Sequence, residues 1–402
     1  MSKQYVDFYT QAEAEIRRRS CPVMNARREE ALHVFSTKGF PTKKEEEYRY
    51  TDVGRDFAPD YGIQLSAGQS GQTAFCHTID SAPIDLGGEY GCIADTEDGV
   101  VALNTMLATE GLLVYVPEGV SAEQPIQISN VLRGEQDTMV NRRMLIVMGE
   151  GSEASVIITD HASGKNHFLS NQVIEVHLGR GSRLNLYEIE ETNLMCTHYS
   201  SVFVKGEKES SLRHTAITLL NGRSRHTCRV RLSEDRAMAR LSGCVIADKM
   251  QHVDHNLLIE HMAPECTSEV LYKYVLDDSA FGAFAGKVLV REGAQGTVSS
   301  MTNANLLSTR QARMLTQPML EIYADDVRCS HGSTVGQMSD QALFYMQQRG
   351  IPYDEARMLL KSAFITEVIE DIPLPALRDR LHYTVDARLR GHLSKCEGCK
   401  LC

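Results

Sequence analysis

The residues able to do chemistry are densest between Pro318 and Gly336, a stretch that reads Pro-Met-Leu-Glu-Ile-Tyr-Ala-Asp-Asp-Val-Arg-Cys-Ser-His-Gly-Ser-Thr-Val-Gly. Two carboxylates (Asp325 and Asp326), a thiol (Cys329) and an imidazole (His331) fall within seven residues there, flanked by glycines that let the backbone turn. Cys329 with His331 suits either a soft metal site or a nucleophile and its base. Two residues apart on an extended strand, they point to the same side without thereby touching. Metal or cluster binding is the reading preferred over catalysis.

A second concentration of thiols closes the sequence. Cys396-Glu-Gly-Cys399-Lys-Leu-Cys402 has the CxxCxxC start of a ferredoxin run without the fourth cysteine and proline. Such a trio can hold Zn²⁺ or part of an iron–sulfur cluster, or can be a terminus with spare thiols. His252, His255 and His261 lie within ten residues. A strand-and-loop run gives them no assured common face, so surface or packing roles are expected. Asp254 beside them reads equally well as a turn residue. Gly149-Glu-Gly151-Ser-Glu-Ala154 matches the GxGxxA dinucleotide fingerprint, yet a strand-like Ser-Val-Ile-Ile-Thr follows where that motif needs a helix. There is no Walker A loop, GxSxG elbow or HExxH helix. Any ATP hydrolysis linked to this protein therefore belongs to another chain.

Composition narrows the field further. The chain has 402 residues, 42 basic and 53 acidic, for a net charge of −11. That balance argues against nucleic acid or an anionic membrane surface as the main partner. A hydrophobic share of 42% and a charged share of 24% are those of a globular protein. The longest apolar runs, such as Leu112–Val116 and Met144–Met148, fall far short of the ~20 residues of a membrane span. The first residues show no apolar leader segment, and the expected location is cytoplasmic. Eleven cysteines, mostly scattered, read as reduced thiols rather than as a disulfide framework.

The elements that hold these groups change character along the chain. Tyr5, Phe8, Tyr9, Ala12 and Ile16 make a helical stripe. A second helix, capped by Asn25, presents Ala31, Leu32 and Phe35 and stops at Gly39. An irregular connection runs from about Gly62 to Gly91. From Leu112 to about Tyr323 the signal is alternation and β-branched runs broken by glycines. Ile146-Val-Met-Gly149-Glu-Gly151-Ser recurs thirty residues later as Val176-His-Leu-Gly179-Arg-Gly181-Ser. Strand, glycine turn and strand recurring at this interval indicate a β-solenoid, in which each rung buries its core only by stacking on its neighbours. Helical periodicity returns afterwards. Ser339 or Asp340 caps one helix, and Pro352 opens another with an Ala356, Leu359, Leu360, Ala363, Phe364 stripe. The expected organisation is a helical region and connection over 1–95, a parallel β column over 96–325, and a helical region with the cysteine tail over 326–402.

With these residues in view, the chain resembles the SufB/SufD family of iron–sulfur cluster assembly proteins, and its SufD branch more closely than the longer SufB. The resemblance rests on Leu-Glu-Ile-Tyr-Ala-Asp-Asp-Val, Cys-Ser-His-Gly, Thr-Val-Gly and Leu-Phe-Tyr-Met-Gln-Gln-Arg-Gly-Ile between Pro318 and Ala363. It extends to Pro41-Thr-Lys-Lys-Glu-Glu-Glu-Tyr48-Arg-Tyr50-Thr51, with Tyr48 where the family usually has tryptophan, and to Ala102-Leu-Asn104 and Val116-Pro-Glu-Gly119. Asp254, His255, His261, Ser268, Tyr272 and Lys273 fit the pattern of its middle.

The resemblance implies a mainly β fold, a right-handed parallel β-helix between helical ends, and a non-catalytic scaffold rather than an enzyme. It implies a SufB-like scaffold as partner and a SufC-like ATPase docked through Leu343, Phe344, Tyr345, Arg349, Gly350 and Leu360. A transient iron–sulfur cluster would be shared with the partner at His331, with Cys329 in a less certain role. The Cys396/Cys399/Cys402 tail lies outside the family's usual pattern. No nucleotide is expected on this chain, and nothing in the sequence assigns a flavin. A SufB-like paralogue acting as a homodimer, a carbohydrate-active β-helix enzyme and a purely structural solenoid are the alternatives.

Overall fold

The apolar stripe at the start of the chain forms a helix. In a computed structural model, which describes residues 2–64, 70–71, 76–86 and 88–391, α1 (Ser2–Arg19) buries Tyr5, Tyr9 and Ile16. α2 (Pro22–Ala26) and α3 (Arg28–Lys38) follow. Asn25 lies inside α2 rather than capping the next helix: its side-chain oxygen accepts from Arg28 Nε at 2.9 Å. Gly39 ends α3 with φ +66°, as its position in the sequence predicts. α4 (Val53–Asp56) and α5 (Gly99–Leu107) complete the N-terminal helices, with three short strands between them: β1 (Gly62–Gln64), β2 (Ser70–Gly71) and β3 (Cys76–Thr78).

The column begins at β4 (Gly111–Val116) and β5 (Ile126–Leu132). It continues through β6 (Thr138–Met148), β7 (Glu153–Ala162), β8 (Phe168–Leu178), β9 (Arg183–Glu191), β10 (Cys196–Gly206) and β11 (Ser211–Leu220). The next rungs are β12 (Arg223–Leu232), β13 (Met238–Ala247), β14 (His252–His261), β15 (Thr267–Leu276), β16 (Phe281–Val290) and β17 (Thr297–Leu307). β18 (Arg313–Ile322) and β19 (Val327–Gln337) form the last one. Even-numbered strands β4 to β18 make one sheet and odd-numbered strands β5 to β19 the other, each strand pairing in parallel with the one two positions along. This is the expected parallel β-helix.

Two ladders hold the rungs in register. Inside, Ile146, Val176, Val204, Val230, Ile259 and Val288 stack one above the next, every one nearly inaccessible to solvent. At one corner, Gly119, Gly151, Gly181, Glu209, Arg236, Glu265 and Gly296 each adopt positive φ. Each donates its N–H to a carbonyl of the following turn at 2.7–3.1 Å. A Cβ at Gly151 or Gly181 would meet open space, so conformation alone favours glycine there. Later rungs accept a side chain in the same conformation at about 1 kcal/mol each.

Helices cover both outer faces. Leu103 and Met106 of α5, with Tyr5, Phe35 and Phe57, pack on Met139, Leu169 and Tyr199 of the even-numbered sheet. On the other sheet, Ile157, Ile217, Ile246 and Val275 receive Ile365, Val368 and Ile369 of α7 (Tyr353–Glu370) and Leu377, Leu381 and Val385 of α8 (Pro375–Leu389).

Two expectations change. The column extends past residue 325 to take in β19, so Cys329 and His331 sit on its last strand and the C-terminal helices start at α6 (Asp340–Gln348). In α7 only part of the stripe read from the sequence packs inward: Ala356 is buried and Phe364 lies against the outer cluster of the column. Leu359 and Ala363 stay exposed and Leu360 and Phe364 half-buried, because Ile365, Val368 and Ile369 offer a broader branched face to the sheet. The tail thiols Cys396, Cys399 and Cys402 lie outside the described residues.

Candidate functional site: the open end of the column

The last rung positions the predicted donors. β17 and β19 pair with Ser299 opposite Cys329, Met301 opposite His331 and Asn303 opposite Ser333. Ser299, Met301 and Asn303 are buried, so the side of β19 bearing Cys329 and His331 is the side that faces the column interior. No rung follows. Val327 and Cys329 remain half-buried against the apolar core, whereas His331 is exposed. Across the rung, the Thr316 hydroxyl is 2.8 Å from both Asn303 Oδ1 and the Ser333 hydroxyl, which ties β18 to β19.

The donor set on this face is incomplete. Among the described residues no three His, Cys, Asp or Glu side chains are grouped to hold a metal ion. Asp325 and Asp326 are exposed in the turn before β19, where the Asp326 N–H donates to Gln295 Oε1 at 2.9 Å, and they do not join Cys329 and His331. Burial pushes the Cys329 thiol up, partly offset by the backbone of Ser299. Such a thiol loses its proton when a metal binds. The face therefore presents one imidazole and one thiol, fewer donors than a metal centre needs.

The strands themselves end unpaired. Among the described residues, β18 and β19 each have a neighbour on one side only. Leu315 (43% exposed) and Val335 (47%) stand on these edges. Long edge strands with apolar side chains are templates for pairing with another chain.

The predicted docking residues divide by role. Leu343 is buried and anchors α6, while Phe344 (63% exposed) and Tyr345 (60%) project outward. The Arg349 guanidinium lies 5.1 Å from the Tyr345 ring centroid and donates to its hydroxyl at 2.9 Å. Gly350 turns the chain with φ +83°. Leu360 is half-buried beside exposed Leu359, so α6 and the outer side of α7 leave an apolar surface uncovered.

Elsewhere the histidines pack, as expected, and inside rather than at the surface. His255 Nδ1 is 2.6 Å from the Tyr274 hydroxyl, His261 Nε2 is 2.8 Å from Ser268 Oγ, and His252 stacks on Phe281. Asp254 is no turn residue: it is buried on β14, 2.6 Å from Arg225 Nη1. Gly149 and Gly151 form the turn between β6 and β7, with no helix after them. Sequence reasoning missed the ionisable groups inside the column, Glu188, His214 and Cys228 among them. The signal available was parity: Glu188 and Glu190 continue the inward series Leu184, Leu186 on β9.

Comparison with known proteins bears on this arrangement. Residues 130–364 match the family described as SUF system FeS cluster assembly, SufBD core domain, and residues 1–75 and 80–128 match the SufBD protein N-terminal region. The chain is 26% identical over 396 residues to the iron–sulfur cluster assembly protein SufD of Escherichia coli, covering 90% of this chain and 92% of that one. A SufBD family protein of Mycobacterium tuberculosis is 31% identical, covering 69% and 70%. One from Synechocystis is 29% identical over 71% of this chain, a stretch that spans 65% of that relative.

Proposed function

This chain belongs to the SufB/SufD family of SUF-system iron–sulfur cluster assembly proteins, on its SufD branch, and we propose that it serves there as a non-catalytic scaffold subunit. In this reading the last rung pairs with a SufB-like chain, and a nascent cluster, as cargo, is held between the two. His331, with Cys329 beside it, is this chain's contribution. A SufC-like ATPase docks on α6 and the outer side of α7 and supplies the ATP hydrolysis. The cytoplasm is the assigned location, and no helix among the described residues is long and apolar enough to cross a membrane.

The observation that carries the proposal is the pair of donors on an unpaired edge strand. A cluster needs more ligands than the two on this face, and a partner strand laid along β19 brings others to it. Neutral imidazole holds iron less firmly than thiolate, which suits a cluster that must leave.

The test is anaerobic co-purification with SufB-like and SufC-like partners, scored by iron, acid-labile sulfide and visible absorbance. His331→Ala is expected to keep the complex and lose the cluster, and His331→Cys to retain more cluster than His331→Ala. Cys329→Ser separates the two donors. Full cluster content in the His331→Ala complex would overturn the assignment.

A further inference from the structure

The middle of the column holds a line of three ionisable groups that the scaffold role does not use. Strand parity turns Glu188 of β9, His214 of β11 and Cys228 of β12 inward. His214 Nε2 lies 2.8 Å from Glu188 Oε2, and His214 Nδ1 lies 3.8 Å from Cys228 Sγ. The second oxygen of Glu188 accepts from Ser200 Oγ at 2.6 Å and Gln172 Nε2 at 3.3 Å, which fixes the carboxylate. Glu188, His214 and Cys228 are 4%, 3% and 2% exposed. A thiol, an imidazole and a carboxylate in this order activate sulfur: the carboxylate orients the imidazole, and the imidazolium stabilises the thiolate.

The electrostatics agree with the geometry. Burial works against the charged Glu188, but its bond to His214 and the charge of that ring bring it down to about 2. Burial likewise works against the His214 cation, but Cys228 and Glu188 lift it to about 10. The other groups facing the line are Tyr272, His226 and His255. Burial keeps Tyr272 protonated and His255 neutral.

Three buried polar atoms on rings that face this line have no protein partner. They are the Tyr272 hydroxyl and His255 Nε2, on fully buried rings with centroids 5.0 Å apart, and Nδ1 of His226, whose ring stacks on His255 at 4.7 Å. The Tyr272 ring occupies the space beside Gly243, where a Cβ would fall 2.1 Å from it. Toward the open end, buried Phe284 and Met301 fill the interior. Unpaired buried polar atoms seat a small polar guest.

We propose that Cys228 is a site of oxidation by small hydroperoxides, with His214 and Glu188 as its activating pair. The thiolate sulfur attacks one peroxide oxygen; an S–O bond forms as the O–O bond breaks. Sulfur gives up two electrons, the peroxide is reduced, and Cys228 becomes a sulfenic acid. The departing hydroxide, or the alkoxide of an organic hydroperoxide, takes the Nδ1 proton of His214 and leaves as water or alcohol.

Cys244 provides the comparison inside the same molecule. It is also fully buried, but the charged group facing it is Lys273 on the neighbouring strand, and burial, only partly offset by that cation, pushes its thiol up to about 12. The full chain is pulsed with hydrogen peroxide, quenched with catalase, unfolded in denaturant containing dimedone and digested, and each cysteine is scored by mass spectrometry. Cys228, with the His214 imidazole 3.8 Å from its sulfur, is expected to be labelled more than about tenfold faster than Cys244. Glu188→Gln should slow Cys228 by about tenfold or more and leave Cys244 unchanged. Equal rates for the two cysteines, no label on Cys228, or indifference to Glu188→Gln would each overturn the proposal.

Discussion

The guanidinium of Arg225 stands 4.0 Å from the ring centroid of Tyr48, and through this contact the N-terminal region is fastened to the column. Arg225 Nη1 bonds Asp254 at 2.6 Å and Nη2 bonds the Glu47 carbonyl at 2.7 Å. Thr51 donates to the same Asp254 carboxylate, and the Tyr48 hydroxyl donates to Asp98 at the start of α5. The motif around Tyr48 is thus a clasp between two parts of the fold.

Arg225→Ala leaves Asp254 buried without its cation, so a loss of about 3–5 kcal/mol in unfolding free energy is expected. Tyr48→Phe removes one hydrogen bond and should lose only about 1 kcal/mol. Urea denaturation of the two variants checks the order. Equal losses would mean that the ion pair is not what holds the clasp.

Charge on the free edges should block partner pairing without harming the fold. Leu315→Lys and Val335→Lys replace exposed side chains, so stability should stay within about 0.5 kcal/mol of the parent. Size-exclusion chromatography with a SufB-like partner should show the separate chains. Unaltered complex formation by the double variant would remove the last rung from the interface.

Phe344→Glu with Tyr345→Glu tests the helical face in the same way. Both side chains are exposed, so the column should remain folded by circular dichroism. Pull-down of a SufC-like ATPase should be abolished, while Leu343→Ala, which deletes a buried anchor, should also destabilise the protein by about 2–3 kcal/mol.

Stability should peak near neutral pH. The folded pKa values of His252 and His261 are lowered to about 4 by burial, so the stability they contribute is present above 6.5 and lost as pH falls toward 4. His214 is raised to about 10, so its contribution is fully present below 6.5 and lost as pH rises toward 10. Urea midpoints measured from about pH 4 to pH 10 should trace both limbs, and Glu188→Gln should flatten the alkaline one.

The sequence by itself determined the period of the column and the face on which each donor lies. Gly149–Gly151 and Gly179–Gly181 mark two turns because positive φ favours glycine, and i, i+2 spacing places Cys329 and His331 on one side of a strand. Where Glu209, Arg236 and Glu265 take the same backbone conformation, the repeat vanishes from the sequence but continues in the structure. Local spacing also could not say that β19 is a column strand with no rung beyond it, which is what leaves His331 open while Met301 beside it is buried. The stripe on α7 was legible as apolar, but which side met the sheet depended on the branched side chains waiting there. Glu188, His214 and Cys228 come from three strands and meet only when rungs stack. Parity within a strand gives a side chain its direction, whereas the register between rungs gives it neighbours, and register is set by the packing of the whole column.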